Sequence, residues 1–398
     1  MKEIIVNVNE EQKRDILLLE DGVVVEKYSE SDSNDRIEGN IYLGKIKNIL
    51  PGMQAAFIDI GKNKNTFIHL KDIIQKRDEK DVEINEYLKN INIENIAKIN
   101  SNILVQVKRD ETRKKGAKVS SHISIPGRFI VYMPNTNFIT ISQKISDEKE
   151  RKRLTEIVRE ILPENCGAII RTSCNKKKKE EIEKDLENLK EKWEEIQKKV
   201  KSSKKKAPIL VMENNNIIEK VILNNIDFNL NRILTNDNKV YYEIKNIMNK
   251  ITGTDTIELI LKENANLLDM YTIQKQLERT ENRKVWLKCG GFITIDNTEA
   301  LTAIDVNSGK YIGKENFEET VYKVNKEASI EIAKQLRLRD IGGIVVIDYI
   351  DMQDDGDKKK IEETLVEELK KDKSKTQVAG FTKLNLFEMT RKHMFSND

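Results

Sequence analysis

Thr302-Ala303-Ile304-Asp305-Val306-Asn307 and, further along, Gly343-Ile344-Val345-Val346-Ile347-Asp348 are the two stretches on which the fold turns. The first places Asp305 and Asn307 on one face of a strand and Ile304 and Val306 on the other, toward a core. The second is almost continuously apolar, which predicts a buried strand, and it ends in an acid. Between them, Phe317 to Leu338 carries Val321, Val324, Ala328, Ile332 and Leu336 on one face of a helix. Strand, helix, strand brings two carboxylates to the tips of neighbouring strands. From spacing alone, two readings stay open. Each Asp caps a strand or starts a turn, or together they fit a Mg²⁺ site. That ion takes oxygen ligands and needs only one or two carboxylates when a substrate supplies phosphate oxygens. Asp296 and Asp351 are alternative carboxylates that spacing does not separate from them.

Upstream, the pattern is of many short strands. Ile16 to Leu19 and Val23 to Val25 flank Glu20-Asp21-Gly22, a hairpin signal. Ile41 to Ile49, Ala55 to Ile60 and Thr66 to Leu70 are punctuated by Gly44, Gly52 and Gly61, which predicts a small barrel. Residues 71–100 read as a polar insertion. Lys108, Arg109, Arg113, Lys114, Lys115 and Lys118 form a basic stretch, read either as a solvated loop or as an edge that contacts phosphates. Ile182, Leu186, Leu189, Trp193, Ile196 and Val200 make a narrow seam on a long charged helix, read as packing on its own domain or, over about three heptads, as a face for a coiled-coil partner. After Gly342-Gly343 come the apolar strand, a helix near Lys358 to Lys371, a strand near Thr376 to Phe381 and a last helix.

Composition narrows the function. The 398 residues leave room for roughly two to four domains. Seventy Lys and Arg against 67 Asp and Glu give a net charge of +3, so an anionic partner must be met by local clusters. Cys166, Cys174 and Cys289 are odd in number and lack Cys-x-x-Cys spacing, which argues against a disulfide framework or a cysteine zinc site and for a reducing cytoplasm. No apolar run is long enough to span a membrane. No phosphate-cradling loop ending in Gly-Lys-Ser/Thr occurs, and His69, His122 and His393 are too scattered for a nucleophilic triad.

The runs Gly291-Phe292-Ile293-Thr294-Ile295-Asp296-Asn297-Thr298-Glu299-Ala300-Leu301 to Ser308-Gly309 and Ala333-Lys334-Gln335-Leu336-Arg337-Leu338-Arg339-Asp340-Ile341-Gly342-Gly343 to Met352 resemble the catalytic segments of the ribonuclease E/G family. The resemblance extends over nearly the whole chain. It implies a multidomain α/β and α+β protein. An S1-like OB barrel (36–121) is inserted in an RNase H-like subdomain (1–35 and 207–279). A 5′-sensor region with the long charged helix (122–206) and a DNase I-like catalytic domain (280–398) complete it.

The implied function is a Mg²⁺-dependent, single-strand-specific endoribonuclease stimulated by a 5′-monophosphate. It would act in rRNA or tRNA processing or mRNA decay, with Mn²⁺ as the alternative ion and no zinc. Its alternative is a non-catalytic S1-type RNA-binding protein. The resemblance makes Asp305 and Asp348 metal ligands and Asn307 their orienting amide. It makes Gly127, Val131, Arg171, Thr172 and Lys375 the 5′-phosphate pocket, and Phe57, Phe67 and Lys115 RNA contacts. Lys375 stands where the family has an arginine, which keeps the charge and loses the bidentate fork. The partners expected are single-stranded rRNA precursors or mRNA, and no membrane. The family's cysteine zinc link and small dimerising domain have no counterpart before Asp398, which leaves homo-oligomerisation open.

Overall fold

The computed structural model describes residues 1–29, 37–74, 92–111, 116–203, 206–214, 216–226, 230–251, 253–263, 265–270, 272–280, 282–309 and 317–393. The fold is mixed α/β. Residues 1–30, 229–241 and 258–398 form one compact unit, and residues 31–228 with 242–257 form another.

The first unit opens with an antiparallel meander, β1 (Lys2–Val8), β2 (Arg14–Glu20) and β3 (Val23–Ser29). Asp21 and Gly22 turn from β2 into β3 with φ of 49° and 76°, the left-handed pair that a tight hairpin demands.

The second unit contains the predicted barrel. Its strands are β4 (Ile41–Leu50), β5 (Ala55–Asp59), β6 (Thr66–His69), β7 (Asn102–Arg109) and β8 (Lys118–Ser120). They pair in the order β4-β5-β6-β8-β7, and β7 returns to β4, which closes the ring. Tyr42, Ile46, Ile58, Ile68, Val105 and Val119 fill it. Gly44 is required there, because a Cβ would lie 2.6 Å from the Ile58 side chain.

Beyond the barrel, β9 (Ile125–Pro126), β10 (Ile130–Met133), β11 (Ile139–Ile141) and β12 (Gly167–Ile170) make a small sheet. The helices Glu148–Ile161 and Lys179–Ser203 belong to the same unit, and Ile182, Leu186, Leu189 and Ile196 of the second join the core under that sheet. The seam therefore packs on its own unit. Strand β13 (Ile209–Met212) adds to β4.

The chain then returns to the first unit. There β14 (Leu230–Thr235) and β15 (Glu258–Leu261) extend the meander in parallel on the β1 side. The last sheet follows: β16 (Lys284–Trp286), β17 (Phe292–Asn297), β18 (Leu301–Asn307), β19 (Gly343–Asp348), β20 (Thr376–Phe381) and β21 (Leu386–Arg391), in the order β16-β17-β18-β19-β21-β20. β18 and β19 are parallel and joined through the helix Phe317–Leu338, whose predicted face is wholly buried. With Asp355–Leu369 this helix covers one face of the sheet.

Two expectations fail here. β19 is not buried on both faces: Val345 and Ile347 are in the core, but Ile344 is 50% exposed, because both helices lie on the other side. The last element is a strand rather than a helix. Phe387, Met389 and Arg391 alternate inward, and the Arg391 guanidinium is buried against Asp372 (2.7 Å) and Asp340 (2.9 Å). A buried arginine disguises period two as a polar segment.

Candidate active site

Backbone pairing places the acidic residues. Asp305 of β18 lies directly opposite Asp348 of β19, and Thr294 of β17 lies opposite Asp305 on the other side. Residues paired in this way point to the same face, with strands about 4.8 Å apart. Beneath them Ile304, Val306, Val345 and Ile347 are buried, so Asp305 and Asp348 stand exposed on the face that the helices leave open. The Asn307 side-chain amide donates to the Asp305 carboxylate at 2.6 Å. Partial burial pushes the Asp348 carboxyl above its usual range, and the charges of Asp305 and then Asp351 push the same way.

The alternative acids are placed differently. Asp296 sits one row away, opposite Ala303, and takes two hydrogen bonds from Arg283. Asp351 follows β19 and accepts from the Asn385 amide at 3.4 Å. Among the described residues no group of three or more His, Cys, Asp or Glu is arranged to hold a metal. An all-protein cage is thus not part of the described chain. A pair of carboxylates is nevertheless sufficient for an ion that keeps its waters and binds phosphate.

On the barrel, Phe57 and Phe67 are cross-strand partners with ring centroids 5.9 Å apart, and His69 lies edge-on to Phe67 at 4.8 Å. Ala56, Ile58 and Ile68 alternate with them and fill the core, so the three rings occupy the outer face, half-buried. Neither phenylalanine is part of the barrel core. Lys115 lies outside the described residues. Of the basic stretch, Lys118 pairs with Asp72 at 3.1 Å. Lys108 is half-buried and donates to Gln106 (2.7 Å) and Ser124 (3.1 Å), and burial lowers its pKa to about 8. Lys108 is therefore neither a solvated loop residue nor a phosphate-facing edge.

Four of the five expected phosphate-pocket residues lie on or beside the small sheet, and a hydrogen bond joins two of them. The Arg171 guanidinium, just past β12, donates to the Gly127 carbonyl (2.7 Å) and to Asn224 (3.0 Å). The exposed Thr172 hydroxyl lies 3.0 Å from that of Ser142. Val131 pairs with Pro126 on one side and Ile169 on the other. Lys375 is exposed just before β20, in the other unit.

Sequence reasoning missed Asp185. It is 5% exposed on the long helix and accepts the backbone N–H groups of Arg128 (3.1 Å), Phe129 (2.8 Å) and Ile130 (3.3 Å). Burial pushes its carboxyl up, against the pull of those donors. A Cβ at Gly127 would fall 2.6 Å from its oxygen. The signal was present: Asp185 lies between Ile182 and Leu189 on the apolar seam, where a solvated acid has no place.

Comparison with known proteins bears on these placements. The family model described as the Ribonuclease E/G family matches residues 124–394. The chain is 35% identical to Ribonuclease G of Haemophilus influenzae over 393 residues, which is 98% of this chain and 79% of that protein. It is 33% identical to Ribonuclease G of Escherichia coli (strain K12) over 391 residues, again 98% and 79%. Against Ribonuclease E of a Nostoc species the figures are 35% over 364 residues, 90% of this chain and 52% of that protein.

Proposed function

Because the chain belongs to the ribonuclease E/G family, we propose that it is a Mg²⁺-dependent endoribonuclease that cuts single-stranded RNA and is stimulated by a 5′-monophosphate. The observation that carries this reading is the direct register of Asp305 with Asp348 on an exposed sheet face. Two carboxylates side by side, with no described lysine or arginine paired to either, suit a dication of Mg²⁺ or Mn²⁺ type. When bound, such an ion supplies a water of lowered pKa and neutralises charge building on the phosphate.

The chain's own contribution is positional. Asn307 holds the Asp305 carboxylate, and the strand pairing fixes its spacing from Asp348. The Phe57–Phe67 pair offers ring surface to bases of any identity, which suits loose sequence preference. Arg171 and Thr172, with Gly127 and Val131, would grip a terminal monophosphate through a guanidinium fork and a hydroxyl. The domain reading goes with this: residues 36–121 as an S1-like barrel, 1–35 and 207–279 as RNase H-like, 122–206 as 5′-sensor and 280–398 as DNase I-like catalytic domain. Substrates would be rRNA or tRNA precursors or mRNA in the cytoplasm. Among the described residues no helix is long and apolar enough to cross a membrane.

The test is cleavage of a 5′-monophosphorylated single-stranded oligomer, leaving a 5′-phosphate on the downstream product, with Mg²⁺ present and then removed by EDTA. Intact RNA under both Mg²⁺ and Mn²⁺ would turn the assignment to a non-catalytic RNA-binding protein.

Two variants check the accessory surfaces. Phe57→Ala should weaken RNA binding by about 1–3 kcal/mol, the worth of one stacked base. Unchanged affinity in an anisotropy titration would remove Phe57 from the RNA path. Arg171→Ala should shrink the rate preference for 5′-monophosphate over 5′-hydroxyl ends by about tenfold, the loss of a charge-assisted pair. A ratio that does not move would take Arg171 out of 5′-end recognition.

A further inference from the structure

The open face of the catalytic sheet holds a feature that the proposed chemistry does not use. Trp286, at the end of the edge strand β16, is 63% exposed. It is paired with Phe292, and Phe292 is paired with Asn307. The indole meets the Phe292 ring edge-on, with centroids 5.3 Å apart. The Lys284 ammonium lies 4.1 Å from the Trp286 ring centre and 3.5 Å from that of Phe292. Lys284 itself belongs to the adjoining row, opposite Thr294, which is opposite Asp305, which is opposite Asp348. Two aromatic rings and a cation thus continue the same face, in register, from the paired carboxylates.

We propose that Trp286 and Phe292 form a stacking platform for a nucleobase of the single-stranded RNA, next to the phosphate that meets Asp305 and Asp348. The inference rests on the ribonuclease reading and adds a contact to it. Shielding of a sheet edge accounts for a lysine at Lys284, but not for an exposed indole beside it. The core also has no use for Trp286, since Val285 is the β16 residue that packs inward. Aromatic faces bind any base; the Lys284 ammonium that rests on both rings, with no carboxylate paired to it among the described residues, would give way to the base and turn to the neighbouring phosphate. The arrangement fixes where a strand entering the site lies: along the row Trp286–Phe292–Asn307, with its backbone turned toward the acids.

The chain has two tryptophans, Trp193 and Trp286. In the full chain carrying Trp193→Phe and Asp305→Asn, emission comes from Trp286 alone and turnover is blocked. Titration with a single-stranded oligoadenylate should quench that emission with the midpoint that anisotropy gives for binding. In the cleaving protein, Trp286→Ala should raise KM about tenfold with kcat little changed, and Trp286→Phe should restore most of the loss. RNA bound without quenching, or an unaltered KM in Trp286→Ala, overturns the platform and leaves the ribonuclease reading standing. Emission that changes with protein concentration alone, together with a dimer in light scattering, would assign the face to a second copy and overturn it too. A wild-type chain that cuts no RNA overturns the ribonuclease reading, and the platform with it.

Discussion

Asp348→Asn and Asp305→Asn are each expected to slow RNA cleavage by at least about a thousandfold, some 4 kcal/mol of barrier, while RNA affinity changes little. The reason lies in the pairing of the two residues across β18 and β19. An amide keeps the shape of each side chain but removes half of the charge that would hold a dication. The same substitution should act oppositely on stability. Burial, Asp305 and Asp351 raise the Asp348 carboxyl. A carboxyl raised in the folded state favours folding below its unfolded pKa and loses that contribution as pH climbs through the folded value. At neutral pH the charged pair therefore strains the metal-free protein. Asp348→Asn should raise its melting temperature there, and the gain should vanish on acidification toward the carboxylate range. Full cleavage in both variants would refute the metal assignment. Unchanged melting would mean that the acids do not repel.

Asp185→Ala should have the second largest effect, through the scaffold. Three backbone donors, those of Arg128, Phe129 and Ile130, lose their acceptor inside a buried turn. Each unsatisfied group costs about 1–3 kcal/mol, and after local adjustment we expect about 3 kcal/mol in all. Because the Gly127 carbonyl fixes Arg171, preference for 5′-monophosphate ends should fall with it. Amide exchange at Arg128, Phe129 and Ile130 reads the turn directly, and comparing rates on 5′-monophosphate and 5′-hydroxyl substrates reads its consequence. Wild-type protection of those amides would show that the turn stands without the acid. Asp185→Asn, which retains one acceptor, should lie between.

Much of the six-stranded sheet that carries Asp305 and Asp348 was legible in the order of residues. Alternation in Thr302 to Asn307 fixed which side chains share a face, and the helical spacing from Val321 to Leu336 supplied the crossover between parallel strands. Spacing could not choose among Asp296, Asp305, Asp348 and Asp351, because register is set by pairing partners far apart in the chain. Ile344 misled for a related reason: an apolar run does not tell whether one face or two are covered. Leu386 to Arg391 misled because a buried ion pair can fill a core position that sequence reads as surface. Asp185 went unread because a charge on an apolar seam looks like noise until its three donors are seen.

The closing of Asp305 against Asp348 by backbone pairing has one further consequence. A slip of β19 by a single residue would turn Asp348 inward and bring Ile347 out beside Asp305. On the proposed reading, cleavage would then be lost outright rather than weakened. A chain that folds out of step would keep no weakened version of the proposed site, so such copies would be expected not to cut RNA rather than to cut it indiscriminately.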